Sequence, residues 1–377
     1  MYKNYFSLIV IATLVLSCAT GKKALQKGDY FSAVTKAVER LKSDPDNKKA
    51  VQVLSEGYPL AIKWSQEELD LALTSNGLFK WGVAVEMMQQ VNHLSDLIRT
   101  TPAARKIIPN PKSYSSELNM ALEKAAEERY NAGLVELDQN TRETARFAFD
   151  HFFIANELIP GFKDVIQKME ISKEIATLKV IVEAVTVNTR KYKLSSEFFY
   201  NQVFEFLNNR YPKEGFVNFL SPQQAETNKI ERPDYIVRME FFDFSVGNLT
   251  RNEKEEEVKK TVEINIQDTT KVEYKIYSAK LKTYTDKVVS GGQLNFKIVD
   301  SNSNDLLRDN LIPGSFTWVN DYAIFAGDIE ALNEKQVQIT KRKVVPLPPE
   351  QDLFIEFTKP IYNQLTGELN SFFRRYR

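Results

Sequence analysis

One cysteine, two histidines and no net charge mark what this 377-residue chain has little of. With Cys18 as its only thiol, the chain can form no internal disulfide and no site built on several cysteine ligands. Neither His93 nor His151 has a second histidine three or four residues away, so each reads as a packing or surface residue rather than a ligand. G-x-S-x-G, H-E-x-x-H, P-loop and dinucleotide-binding patterns are missing. Glu183, Glu240, Asp243 and Glu263 fall on expected strands, but with 50 acidic residues no pair stands out as a dyad. The expectation is therefore a non-enzymatic protein without metal or cofactor. Lys+Arg and Asp+Glu balance at 50 each, which leaves no basic stripe for nucleic acid. The one long apolar run is Leu8–Leu16, short of the roughly 20 residues a spanning helix needs.

That run, behind Lys3 and ahead of Ser17-Cys18, has the charge and length of a processed secretory signal. Val15-Leu16-Ser17-Cys18 resembles the lipobox of bacterial lipoproteins. The resemblance implies lipid on the Cys18 thiol, cleavage after residue 17 and an acylated new amine. Two or three chains hold a protein stably on a membrane, each buried methylene contributing about 0.8 kcal/mol. An ordinary secretory signal with a chance cysteine and an uncleaved apolar anchor are the rival readings. Residues 18–23 then form the tether. No Asp follows Cys18 and no acidic cluster follows it. By lipoprotein habit, the body then hangs from the outer membrane into the periplasm.

Residues 24–170 read as helical. Gly28-Asp29-Tyr30, Ala33, Leu41, Pro45 and Asn47 resemble the second half of a tetratricopeptide repeat, with Arg40 where that repeat usually has alanine. Gly28 permits a turn, Ala33 suits a helix crossing, and Pro45 stops a helix. Leu54 and Tyr58 fit the next helix, and Leu69, Leu73 and the Val83–Leu97 run keep helical spacing. Ala148, Phe152, Ala155 and Pro160 restore the repeat's offsets, with Pro102 and Ile107–Pro111 marking an insertion or loop between. The expectation is three to four hairpins stacked as a short solenoid with a concave groove. A plain helical bundle is the alternative.

Residues 171–377 read as a mixed α/β domain with a mostly antiparallel sheet, giving an α+β protein. Leu178–Val185 predicts a strand with 178, 180, 182 and 184 on one face. A helix capped by Ser195 or Ser196 follows, carrying Phe199, Val203, Phe206 and Leu207. Further strands are expected at Phe216–Phe219, Asp234–Val246, Val262–Ile266, Val272–Ile276, Leu294–Ile298 and Phe316–Phe325, with a short helix over 223–228. The charged stretch 248–260 predicts a solvated, mobile loop, and 341–349 a proline-bearing linker. A final amphipathic helix carries Phe354, Phe357, Ile361, Leu365, Leu369, Phe372 and Tyr376, with Pro360 and Gly367 as kink sites.

This order of elements, with the Phe296–Asp300 strand-to-turn segment, resembles the curli-secretion-channel and penicillin-binding-protein-activator lipoprotein group and the small α/β domain of the Tol-system propeller protein. The resemblance implies a domain that binds partners or self-assembles. The channel member's membrane-spanning hairpins are not expected here, because Lys275, Lys280 and Lys282 interrupt the alternation. Phe316, Trp318, Tyr322 and Phe325 crowd one stretch and form a candidate partner-contact patch, with core packing as the plainer alternative. The functional expectation is a membrane-anchored scaffold or assembly adaptor for an envelope complex, with a homo-oligomer open. The alternatives are a glycan- or small-molecule-binding module, and a subunit of an export channel or cell-wall-enzyme activator.

Overall fold

The computed structural model describes residues 21–212, 214–265 and 272–376. The leader, Cys18 and Ile266 lie outside the described residues. The chain divides into two compact units at Ala176/Thr177.

The first unit is helical: α1 (Lys22–Gln26), α2 (Tyr30–Ser43), α3 (Lys48–Thr74), α4 (Lys80–Thr100), α5 (Pro102–Ile107), α6 (Ser115–Asp138), α7 (Arg142–Leu158) and α8 (Val165–Ala176). Local chemistry sets the helix starts. The Asp29 and Asn47 carboxylate and amide oxygens accept from the Ser32 and Ala50 amides at 3.2 and 3.0 Å, and Thr141 and Thr144 cap α7 reciprocally. α2 packs on α3, α3 on α4, α6 on α7 and α7 on α8, while α6 packs on α4 rather than on the short α5. The apolar residues gather in three successive clusters. Ala33, Leu41 and Leu54 belong to the first, Leu69, Met88 and Val91 to the second, and Ala148, Phe152 and Ala155 to the third. Helix lengths are uneven, from 5 residues in α1 to 27 in α3.

The second unit is built on β1 (Leu178–Val182), β2 (Thr186–Val187), α9 (Lys193–Arg210), β3 (Val217–Leu220), α10 (Pro222–Thr227), β4 (Tyr235–Asn265), β5 (Val272–Asp300), β6 (Leu306–Gly327), α11 (Glu334–Thr340) and α12 (Glu350–Phe373). The sheet order is β3-β1-β4-β5-β6, with β2 beside β4. β1 pairs in parallel with β3 and β4, while β4–β5 and β5–β6 are antiparallel. At the base, α9 and α12 cover one face. Leu178, Val180, Val182, Phe241, Leu294 and Phe296 from the sheet meet Phe199, Phe354, Phe357 and Leu365 from the helices. Each such side chain contributes about 1.5–3 kcal/mol when fully buried. Gly314 lets α12 approach closely: a Cβ there would sit 2.5 Å from the Phe357 carbonyl oxygen and from Ile361.

Several local expectations change. The stretch 248–260 is strand, not a mobile loop: β4 runs on to Asn265, paired residue by residue from Asn248↔Val289 to Asn265↔Val272. Backbone pairing to β5 satisfies its amides, so the charges ride on a strand rather than expelling it from the sheet. β1 stops at Val182, and Ala184 is exposed. Ser195 and Ser196 do not cap α9. They sit buried inside its first turn, where the Ser196 hydroxyl donates to the Lys193 carbonyl at 2.9 Å. Residues 342–349 carry no regular structure.

Candidate interaction surface

Beyond the helix-covered base, β4, β5 and β6 continue as a long three-stranded arm. Two register shifts in β4, between Phe242 and Asn248, mark its start, with Asp243 at φ 47°. Past Asn248, β4 is paired only to β5 among the described residues. The arm has two faces because side chains alternate along each strand. On the α12 side, Arg251, Tyr284, Asp286, Trp318, Asn320 and Tyr322 line up across the three strands. On the α11 side, Ala279, Leu281, Ala323, Ala331 and Leu332 form a small core, with Val258, Phe325 and Val337 against it.

The four aromatic residues singled out by sequence therefore do not form one patch. Phe316 packs against the core beneath α12, and Phe325 packs on the opposite face. Trp318 and Tyr322 lie between, on the α12 side. Tyr322 is buried and stacks on Tyr284, with ring centroids 4.9 Å apart and planes 13° apart.

Next to that stack is a two-point ion pair, which sequence reasoning missed. Arg251 donates through Nε and Nη2 to the two Asp286 oxygens at 2.6 and 2.8 Å. Asp286 is 2% exposed while Arg251 reaches solvent. The guanidinium's hydrogen bonds hold the Asp286 carboxyl below its usual range, and Arg251 is held more firmly protonated in return. These residues are 35 apart in sequence, and only the β4–β5 register Arg251↔Asp286 brings them together. Toward the tip, Tyr274 and Ile276 are 68% and 64% exposed, so apolar groups there have no partner within the described chain.

At the base, Glu350 is held ionised by hydrogen bonds from Lys191 and from the Tyr192 hydroxyl, the latter at 2.6 Å. Burial and that carboxylate push the Tyr192 hydroxyl up to about 12. Of the carboxylates considered for a dyad, Glu183 is paired with Arg238 at 3.2 Å.

Grooves also run along the helical unit. One of about 690 Å³ runs along Tyr58, Ile62, Gln66 and Lys112, and one of about 380 Å³ is lined by Phe31, Thr35, Glu39 and His93. His151 contacts Arg129 and Phe79: the Arg129 guanidinium lies 3.6 Å from the Phe79 ring centre. Burial, then Arg129, lowers the His151 pKa. Among the described residues no helix is long and apolar enough to cross a membrane, and no cluster of His, Cys, Asp and Glu could hold a metal ion.

No protein-family model matches the sequence, and no curated protein matches it. A solved structure described as a neuraminyllactose-binding hemagglutinin homolog from Helicobacter pylori aligns with 13% identity over 52% of this chain and 88% of its own, at a TM-score of 0.26. A likeness at that score carries no argument about fold or ligand.

Proposed function

We propose that the protein is a lipid-anchored envelope adaptor, tethered through Cys18 to the outer membrane on its periplasmic side, which holds other envelope proteins without covalent chemistry. The observation that carries this is the arm. Three strands run out past the helices that cover the base, β4 and β5 continue beyond the end of β6, and together they present Tyr274, Ile276 and Ile324 to solvent at 57–68% exposure. Among the described residues nothing buries these side chains, and exposed aromatic and aliphatic groups are what protein interfaces use. Three successive apolar clusters in the helical unit support a tetratricopeptide-like stack, whose neighbour-on-neighbour packing leaves grooves for extended segments.

A photo-crosslinking residue placed at Tyr274 or Ile276 in the native host tests the proposal. The expected result is a small set of discrete protein adducts. Absence of adducts at both positions, with the protein folded and membrane-associated, would contradict it. Replacing Cys18 with serine tests the tether: the variant should leave the membrane fraction.

A further inference from the structure

The two edges of the arm differ in a way that selects a partner. On the β4 edge, eight of the ten residues from Arg251 to Lys260 are charged, the usual guard against strand addition. On the β6 edge, the 14 residues from Gly314 to Gly327 carry one charge, Asp321, and no proline.

The ladder's phase shows which backbone groups that edge offers. The Asp328 amide donates to the Ser278 carbonyl at 2.9 Å, one pair beyond Ala279↔Gly327. The register then runs unbroken back to Ile298↔Arg308. Even-numbered residues from Phe316 to Ala326 therefore exchange bonds with β5. Thr317, Val319, Asp321, Ala323 and Phe325 aim their N–H and C=O groups away from it. Among the described residues no backbone of another segment bonds to those outward groups.

We propose that β6 pairs antiparallel with β6 of a second copy, around a two-fold axis at Asn320, making one continuous six-stranded arm from two chains. Charge excludes one register, and side-chain pairing favours this one. An axis at Asp321 would set two carboxylates opposite each other, and an axis at Asn320 sets each Asp321 opposite Val319 of the copy. The same register places Trp318 against Tyr322 and Phe316 against Ile324, both pairs on the α12 side. It covers Val319 and Ile324, which are 50% and 57% exposed. An isologous pairing of this kind closes on itself and leaves the charged β4 edges outermost. The inference rests on the arm being an interaction surface and adds the identity of one occupant.

Val319 gives a test with opposed signs. Its neighbour within the chain is Lys287, and its neighbour across the axis is Asp321 of the copy. Val319→Glu therefore favours the isolated fold and disfavours the pair, and Val319→Lys does the reverse. Sedimentation equilibrium of the detergent-purified full chain should show a reversible dimer. Val319→Glu should weaken it by roughly 2- to 30-fold, from two symmetric cross-strand contacts, and Val319→Lys should tighten it. Thr317→Pro removes an outward amide that β5 does not use and should abolish the dimer with the circular dichroism spectrum retained. A monomer at every concentration, or a dimer indifferent to all three changes, would overturn the proposal. If the monomer's arm still crosslinks to an unlike protein in cells, self-pairing fails while the adaptor reading stands.

Discussion

The two units solve the burial problem differently. The helical unit divides its apolar residues among three clusters along the chain, each made mostly of alanine and medium aliphatic side chains. The sheet unit concentrates phenylalanine in one core: Phe199, Phe219, Phe241, Phe296, Phe354, Phe357 and Phe373 are all fully buried. Stacked neighbours share stability only locally, whereas a single core stands or falls as a whole. The sheet unit can therefore support an arm that has little core of its own, because the base anchors all three of its strands.

Substitutions that empty each core should separate these behaviours most sharply. Phe357→Ala and Phe152→Ala each remove a fully buried ring and should each cost about 3–5 kcal/mol. Hydrogen exchange should show the first loosening β1 to α12 together. The second should loosen α6 to α8 while α2 and α3 stay protected. Uniform loosening of the helical unit by Phe152→Ala would erase the contrast.

Gly133 sharpens the same point. A Cβ there would lie 2.7 Å from the Phe152 ring, against a side chain wedged between helices. Alanine normally gains about 1 kcal/mol over glycine inside a helix, and overpacking costs about 1–3 kcal/mol. Gly133→Ala should therefore lower the denaturant midpoint of the helical unit and leave the sheet unit unchanged. At α7, Thr141→Ala should cost about 1 kcal/mol by removing the cap, again read only in the helical unit.

In the arm, Arg251→Ala should lower stability more than Asp286→Asn, because the first strands a buried carboxylate and the second removes its charge. The pH dependence follows from the sign of the shift. Asp286 is held below its ordinary pKa in the fold, so its contribution is present above about pH 4. It is lost as pH falls through the depressed folded value. Acid titration of arm stability should flatten in Asp286→Asn; an unchanged titration would mean the pair does not act on folding.

Much of this fold can be read from residues alone, and what cannot has a physical reason. The α12 stripe from Phe354 to Phe372 and the 178–180–182 alternation of β1 follow from faces that must be buried, so their periodicity survives in sequence. Residues 251–260 face solvent on one side and only a thin cluster on the other. Their pattern is set by solubility and looks like a loop. Trp318 and Tyr322 are legible as unusual, yet their separation from Phe316 depends on how far α12 reaches along their shared face, and from Phe325 on its lying on the opposite face. Arg251 and Asp286 meet only through register, which no local signal announces. The run Gly314–Gly327, with Asp321 as its single charge, set against the heavily charged 251–260, was the available clue to the arm's two edges.

Crosslinking mass spectrometry on intact cells tests the central claim most directly, because exposed lysines sample both the arm and the base. Lys254, Lys275 and Lys280 lie on the arm, and Lys359 lies on α12 at the base. The account predicts that links to other protein molecules concentrate on the arm lysines. Links spread over base and arm in proportion to lysine exposure, or confined to the base, would contradict it.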